Sequence, residues 1–241
     1  MTSFRITILF LLILSQTYSA FGQITSAKIT YERKTNLYKR FKKNQQIQRW
    51  IKEEDKIKID YFELFVTDTC SLFRPQESDL KETYSWTTTK NTVYQYPAQN
   101  KRYLIKSMWG EELHLTDTLQ KRRWHISEST RKIAGYTCRK AVWEPNDSTR
   151  IYAWFSYDVI PSYGPESFNG LPGTILGIAN EDGGIVYFAK KVEVLRPDPA
   201  LFIPPKKKKI YTVPELKAQL TKQYGFEHWF KENMEIHFGV W

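Results

Sequence analysis

The stretch Gly135-Tyr-Thr-Cys-Arg-Lys-Ala-Val-Trp-Glu-Pro-Asn-Asp-Ser-Thr-Arg-Ile-Tyr-Ala-Trp-Phe-Ser-Tyr157 alternates, reverses and alternates again. Tyr136, Cys138, Lys140 and Val142 fall on one side of an extended chain, and Thr137, Arg139, Ala141 and Trp143 on the other. Asn146-Asp147 supplies the reversal, and Ile151, Ala153, Phe155 and Tyr157 line one side of the return. Successive side chains of a strand point to opposite faces, so two alternating runs joined by turn residues predict a β-hairpin.

The same pattern extends outward in both directions. Residues 174–179 and 185–194 read as a second pair, joined by Asn180-Glu181-Asp182-Gly183-Gly184. Upstream, 29–33 and 57–61 alternate, and short runs at 84–89, 93–96, 102–106, 113–115 and 124–127 follow, with Lys90-Asn91 and Asn100 where reversals are needed. Residues 36–54 are polar and basic, with Leu37, Phe41, Ile47 and Trp50 too loosely spaced for a helix, and read as a long loop or hairpin. Eight or more short strands without intervening helices predict an antiparallel sheet, since parallel neighbours need crossovers of about a dozen residues. So large a sheet should curl, which predicts a mainly β fold: a strongly curved antiparallel sheet or incomplete barrel. The composition agrees, with 41% hydrophobic residues and 8 Trp, 15 Tyr and 14 Phe in 241 residues, an aromatic share suited to sheet.

The character changes after Pro204-Pro205. Thr212 three residues ahead of Glu215, with Pro214 between them, forms a capping box and predicts a helix to about Tyr224, stopped by Gly225. Phe226, Trp229, Phe230 and Met234 then recur at helical spacing and predict a stripe packed on the sheet. The expected organisation is a signal peptide at 1–22, an antiparallel β domain at 23–205, and a basic linker with a short helical C-terminal extension at 206–241.

The amino terminus carries Arg5, an apolar run from Ile6 to Leu14, then Ala20-Phe21-Gly22 ahead of Gln23. That is the layout of a secretory signal peptide, with Ala20 and Gly22 at the small-residue positions and cleavage after about Gly22. The run is too short to span a bilayer, and no later run is long enough, so an exported, periplasmic or secreted protein is expected. Cleavage takes one Arg and no acid from 36 basic and 26 acidic residues, leaving a net charge of +9, which favours acidic partners or anionic surfaces. The runs 39–43, 121–123 and 206–209 read as solvated faces, with anionic envelope lipid as the functional alternative. Nucleic acid is not an expected partner of an exported chain whose aromatics alternate like core. Cys70 and Cys138 would form one disulfide in an oxidising compartment, or remain two buried thiols.

Familiar catalytic signatures are missing: there is no Gly-x-Ser-x-Gly, His-Glu-x-x-His, Cys-x-x-Cys, Walker loop or Gly-x-Gly-x-x-Gly. Neither a metal set nor a cofactor motif can be assembled from the two cysteines and four histidines, and no catalytic residue is assigned. Asp158 and Glu166 flank one loop and are the carboxylates a hydrolase of an envelope polymer would use, against the plainer reading of a turn cap and a solvated acid.

That loop, Pro161-Ser-Tyr-Gly-Pro-Glu-Ser-Phe-Asn-Gly-Leu-Pro-Gly173, holds six Gly and Pro residues together with Tyr163, Phe168 and Leu171. Pro fixes φ and the apolar residues can dock, so an ordered loop is expected. Phe168-Asn-Gly-Leu-Pro-Gly-Thr-Ile-Leu176, preceded by Gly164-Pro165, resembles the signature of the GLPGLI family of exported bacterial proteins. Gly135-Tyr-Thr-Cys-Arg-Lys-Ala141, Tyr152-Ala-Trp-Phe155 and Ile160-Pro161 fit the same pattern, and Thr174 departs from it where the motif has Leu. The resemblance implies a β-rich envelope protein, often found beside outer-membrane transport receptors and without established catalysis. It marks Gly164, Pro165, Phe168, Gly170, Leu171, Pro172 and Gly173 as a binding or structural loop. The expected function is a non-catalytic binding or accessory protein, with an outer-membrane receptor as partner or an apolar or peptide ligand on the concave face.

Overall fold

A computed structural model describes residues 22–77, 84–108, 110–227 and 229–239; except for Gly22, the expected signal peptide lies outside them. Twelve strands are formed: β1 (Ala27–Asn36), β2 (Ile57–Val66), β3 (Ser71–Pro75), β4 (Thr92–Tyr96), β5 (Lys101–Met108), β6 (Glu111–Thr118), β7 (His125–Ile133), β8 (Tyr136–Asn146), β9 (Thr149–Ser156), β10 (Thr174–Asn180), β11 (Ile185–Val194) and β12 (Tyr211–Thr212). Four helices accompany them: α1 (Leu37–Arg40), α2 (Gln45–Trp50), α3 (Val213–Tyr224) and α4 (Phe230–Phe238).

The strands form one open sheet in the order β12-β6-β5-β4-β3-β2-β1-β11-β10-β9-β8-β7. All neighbours run antiparallel except β12, which lies parallel to β6 at one edge. The hairpin expected at residues 135–157 is β8–β9, with Asn146 opposite Thr149 and a two-residue turn between. Strong curvature follows from the side chains: β5 and β11 are five places apart in the sheet, yet both line one cavity.

Burial alternates along β1, with Ala27, Ile29, Tyr31, Arg33 and Thr35 all turned inward. The concave face is therefore apolar at one end of this strand and charged at the other. The apolar part joins Phe62 and Phe73, stacked at 5.0 Å, to Leu64, Ile151, Phe155, Ile175 and Ile178 in the main core. A second cluster, Phe65, Leu72, Tyr94, Tyr103 and Phe202, covers part of the convex face, where the 3-10 turn Pro199–Phe202 lies against β4 and β5.

Several local expectations are corrected. Residues 84–89 are not a strand: Tyr84 is left-handed at φ 53°, and a 3-10 turn follows at Ser85–Thr87. The Tyr, Trp and Thr content mimicked β propensity, while Thr88 is turned inward to donate to Asp60. Residues 36–54 hold α1 and α2, capped by the side chains of Asn36 and Asn44, and their Leu37, Phe41 and Ile51 form a small core of their own. Each helix is too short for a periodic apolar stripe. β3 went unrecognised because Pro75 ends it after five residues.

At the carboxyl end the capping box is formed, with Thr212 N–H donating to Glu215 Oε2 at 2.8 Å and Glu215 N–H to Thr212 Oγ1 at 3.3 Å. Leu216, Leu220 and Phe230 enter the main core, whereas Phe226 is 80% exposed. With β12 on the sheet edge, this segment packs as part of the same body. Cys70 and Cys138 are free thiols; Cys70 precedes β3, Cys138 is buried in β8, and five strands separate the two in the sheet. No described helix is long and apolar enough to cross a membrane.

Candidate functional site

The loop between β9 and β10 crosses the open side of the curved sheet. Asn169 Nδ2 donates to Gln95 Oε1 of β4 at 2.8 Å, Arg102 Nη1 of β5 to Ser167 Oγ at 2.9 Å, and Trp124 Nε1 to the Asn169 carbonyl at 2.9 Å. Its base is closed by Thr174 N–H to Val159 O at 2.7 Å and Thr174 Oγ1 to Pro161 O at 2.6 Å. Thr174, the departure from the motif, is fully buried with its hydroxyl spent on this closure. Gly170 and Gly173 take φ of 90° and 151°, and a Cβ at Gly173 would stand 2.0 Å from the Ser156 carbonyl oxygen, so only glycine fits there. Of the loop residues singled out from sequence, Gly164, Pro165, Phe168, Leu171 and Gly173 are buried, and only Gly170 and Pro172 reach solvent.

Beneath the loop lies a cavity of about 430 Å³. One wall is β5 with its neighbours, presenting Arg102, Leu104 and Lys106 together with Val93 and Asp117; the other is β1 and β11, presenting Arg33, Thr35, Ile185 and Tyr187. Glu166, Ser167 and Phe168 of the loop, Arg122 and Gln120 from the β6–β7 connection, Arg40 of α1, Thr88, Thr89 and Asn91 ahead of β4, and Lys217, Ile236, His237 and Phe238 of α3 and α4 also face it. The volume lies in the range of small-ligand sites.

Register explains the best-ordered part of the wall. Arg33 stands opposite Asp60 on β2 and opposite Tyr187 on β11. Its guanidinium meets Asp60 Oδ2 at 2.6 Å and 3.2 Å, the Thr89 carbonyl at 2.7 Å and Tyr187 Oη at 3.2 Å. Burial works to raise the Asp60 carboxyl, but the Arg33 charge and hydrogen bonds, with Lys58 and Lys90, hold it below its ordinary value. Glu166, left-handed at φ 56°, accepts from Tyr187 Oη at 2.8 Å and from Asn91 Nδ2 at 3.1 Å, and Asn91 Oδ1 accepts from Lys106 Nζ at 3.2 Å. A continuous polar chain thus runs from Lys106 to Asp60.

The remaining cations are not balanced. Among the described residues no carboxylate lies within ion-pair distance of Arg40 or Arg122, and Arg40 Nε and Nη2 and Arg122 Nε are buried without a hydrogen-bond partner. Burial and the Arg33 charge pull Arg40 down to about 10; burial and the Arg102 charge pull Arg122 down to about 9. Burial brings Lys106 down to about 8, Glu166 opposing and Arg102 reinforcing the fall. Burial, with Lys106 and Arg40 alongside, lowers His237 to about 4 and leaves it neutral at pH 7. Six cationic side chains, Arg33, Arg40, Arg102, Lys106, Arg122 and Lys217, line the space with two carboxylates, Asp117 and Glu166. Arg122 does donate to the Gln120 side chain at 2.9 Å and to the Ser167 carbonyl at 3.0 Å, but a desolvated charge without a countercharge is costly, so the arrangement can accept negative charge.

Of the two acids flagged from sequence, only Glu166 lines the cavity; Asp158 is exposed in the turn after β9 and bonds Ser156 Oγ at 3.3 Å, so the two do not form a catalytic pair. Among the described residues no group of three His, Cys, Asp or Glu gathers as a metal set. His125 is exposed, as its position in β7 requires, and Lys206 to Lys209 are exposed as well. Arg40 and Arg122 correct the expectation that the runs 39–43 and 121–123 are wholly solvated faces, since both line the cavity; Arg33 and Lys106 drew no notice in the sequence, although Arg33 shares its face with Ile29 and Tyr31, and Lys106 shares its own with Leu104 and Met108.

No protein-family model matches the chain, and no curated protein matches it in sequence. Among solved structures it is similar to PNGF-II in two crystal forms. The C2 form aligns at TM-score 0.54 and 19% identity over 80% of this chain and 32% of that one. The P21 form aligns at TM-score 0.56 and 17% identity over 81% and 33%. The chain therefore spans about a third of the length of PNGF-II, and at these identities the likeness is one of fold.

Proposed function

We propose that this protein is a binding protein whose concave cavity holds a small anionic ligand. The observation that carries the reading is a pair of half-buried arginines, Arg40 and Arg122, with no carboxylate within ion-pair distance among the described residues, in one cavity with the buried Lys106. Most of the cavity's charged lining is cationic, with six cations against two carboxylates, which favours an anion over an apolar or peptide occupant. Charge-assisted hydrogen bonds to an anion would satisfy the free guanidinium N–H groups and offset the cost of burying them.

Thermal unfolding at constant ionic strength, with chloride exchanged for sulfate, phosphate or a carboxylate, tests this directly. A ligand at a hundred times its Kd adds about 2.7 kcal/mol of stability. The double substitution Arg40→Met/Arg122→Met is expected to remove that gain. An equal response to every anion, or an unchanged response in the double variant, would defeat the proposal.

For the setting, we propose membership of the GLPGLI family and a place in the cell envelope, supported by the ordered sequence blocks at 135–141, 152–155 and 160–176 and by the signal-like amino terminus. An outer-membrane receptor would meet the loop at Gly170 and Pro172, where it reaches solvent. Crosslinking in the native envelope followed by mass spectrometry tests both; recovery of the uncleaved chain in the cytoplasm would remove the basis for either.

A further inference from the structure

We infer that the ligand is a two-ended anion, with acidic groups at both ends of an apolar middle. This rests on the cavity being an anion site and adds the shape of what it takes. The two arginines without a carboxylate in ion-pair distance among the described residues belong to different ends. Arg122 is bound to the Ser167 carbonyl at 3.0 Å, lies 4.5 Å over the Phe168 ring, and has Arg102 as its charged neighbour. Arg40 feels instead Arg33, Asp60 and Glu166, and with Lys106 flanks His237.

β5 sets the separation. Arg102 and Lys106 are four residues apart on the same strand and both line the cavity, so their Cα atoms stand roughly 13 Å apart at about 3.3 Å per residue. Leu104 projects between them on the same face, opposite Val93 of β4. Each end therefore offers cations beyond what its carboxylates neutralise. At one end Asp117 answers Arg102 at 2.7 Å and leaves Arg122 over; at the other Asp60 and Glu166, 2.6 Å and 4.0 Å from Arg33, face three cations, Arg33, Arg40 and Lys106. A single compact anion would answer the charge of one arginine and leave the other without a countercharge among the described residues. A molecule carrying an acid at each end satisfies both, with its middle against Leu104 and Val93.

The test is calorimetric titration of the full chain with linear α,ω-dicarboxylates from succinate to dodecanedioate, each beside the monocarboxylate of the same length, and with inorganic phosphate. Diacid affinity should pass through an optimum at intermediate length and exceed that of the matched monoacid by about tenfold or more, the value of one further charged hydrogen-bonded pair. Arg40→Met and Arg122→Met should each bring the optimal diacid to monoacid affinity without abolishing binding. If monoacids or phosphate bind as tightly as every diacid, the two-ended ligand is excluded while the anion site stands. If none of these probes binds, the anion site falls with it. The length series is run on the unaltered protein and does not depend on how any variant folds.

Discussion

Replacing Lys106 with Met should make the unliganded protein more stable. The side chain is 6% exposed, and methionine fills most of the same space without the ammonium. Burial lowers the amine from 10.5 to about 8, so keeping it charged at pH 7 costs the fold roughly 3 kcal/mol at about 1.4 kcal/mol per pH unit. Losing its 3.2 Å hydrogen bond to Asn91 gives back about 1 kcal/mol, for a net gain of about 2 kcal/mol. The dependence on pH has a definite sign. Between the folded value near 8 and the unfolded value of 10.5 the unfolded chain binds more protons, so this group makes the parent protein gain stability as pH rises through that window. The advantage of Lys106→Met should accordingly be full below pH 8 and vanish as pH nears 10.5, leaving above it only the deficit of about 1 kcal/mol from the lost hydrogen bond. Urea denaturation of both proteins at several pH values, in a chloride buffer, measures it. A variant less stable than the parent at pH 7, or a difference that ignores pH, would refute the claim that Lys106 is an uncompensated buried charge. With a saturating anion the order should reverse, because only the parent retains the full set of cations.

Three other outcomes are expected. Asp60→Asn removes the partner of the buried Arg33 and should cost about 3–5 kcal/mol by urea denaturation; since the Asp60 carboxyl is held below 3.8, its contribution is present above that pH and lost as pH falls through the lower folded value, so the variant should flatten the acid limb. Gly173→Ala forces a Cβ onto the Ser156 carbonyl and should cost at least about 3 kcal/mol, whereas Gly183→Ala, at φ 66° in open space, should cost about 1–2 kcal/mol; similar losses in the two would show that the loop base is not fixed by contact. Native alkylation read by mass spectrometry should place one label, at Cys70, because burial pushes the Cys138 thiol up to about 12; labelling at Cys138, or at neither, would contradict two free thiols of unequal access.

Most of the sheet could be read from the chain because period-two alternation is a local signal. β8, β9, β10 and β11 each carry enough residues between turn signals to declare themselves. The capping box at Thr212 and Glu215 is equally local, and both of its hydrogen bonds form. Elements that failed to show are those too short for a period, such as α1 and β3, and the run at 84–89, where the fold spends strand-forming residues on a turn. What the chain could not convey was the partnership of strands distant in sequence. Arg33, Asp60 and Tyr187 become one row only when β1 settles between β2 and β11.

The cavity was hidden for the same reason, yet it left a trace in the alternation itself. On β1 the inward face reads Ala27, Ile29, Tyr31, Arg33, Thr35, and on β5 it reads Arg102, Leu104, Lys106, Met108. A charged residue in phase with core residues on a strand is either a mistake in register or a buried charge, and register is strongly specified when one face is apolar. Two such strands, each carrying a cation in the core phase, imply that the concave face is not one continuous hydrophobic layer. The loop follows from this. Gly and Pro shape it into a span across the curved sheet, Thr174 and Gly173 tie down its base, and Glu166, Ser167 and Phe168 reach into the charged part of the face. Its motif reads as a means of roofing a cationic cavity, and the left-handed Glu166, held by Tyr187 and Asn91, is where the roof joins the wall.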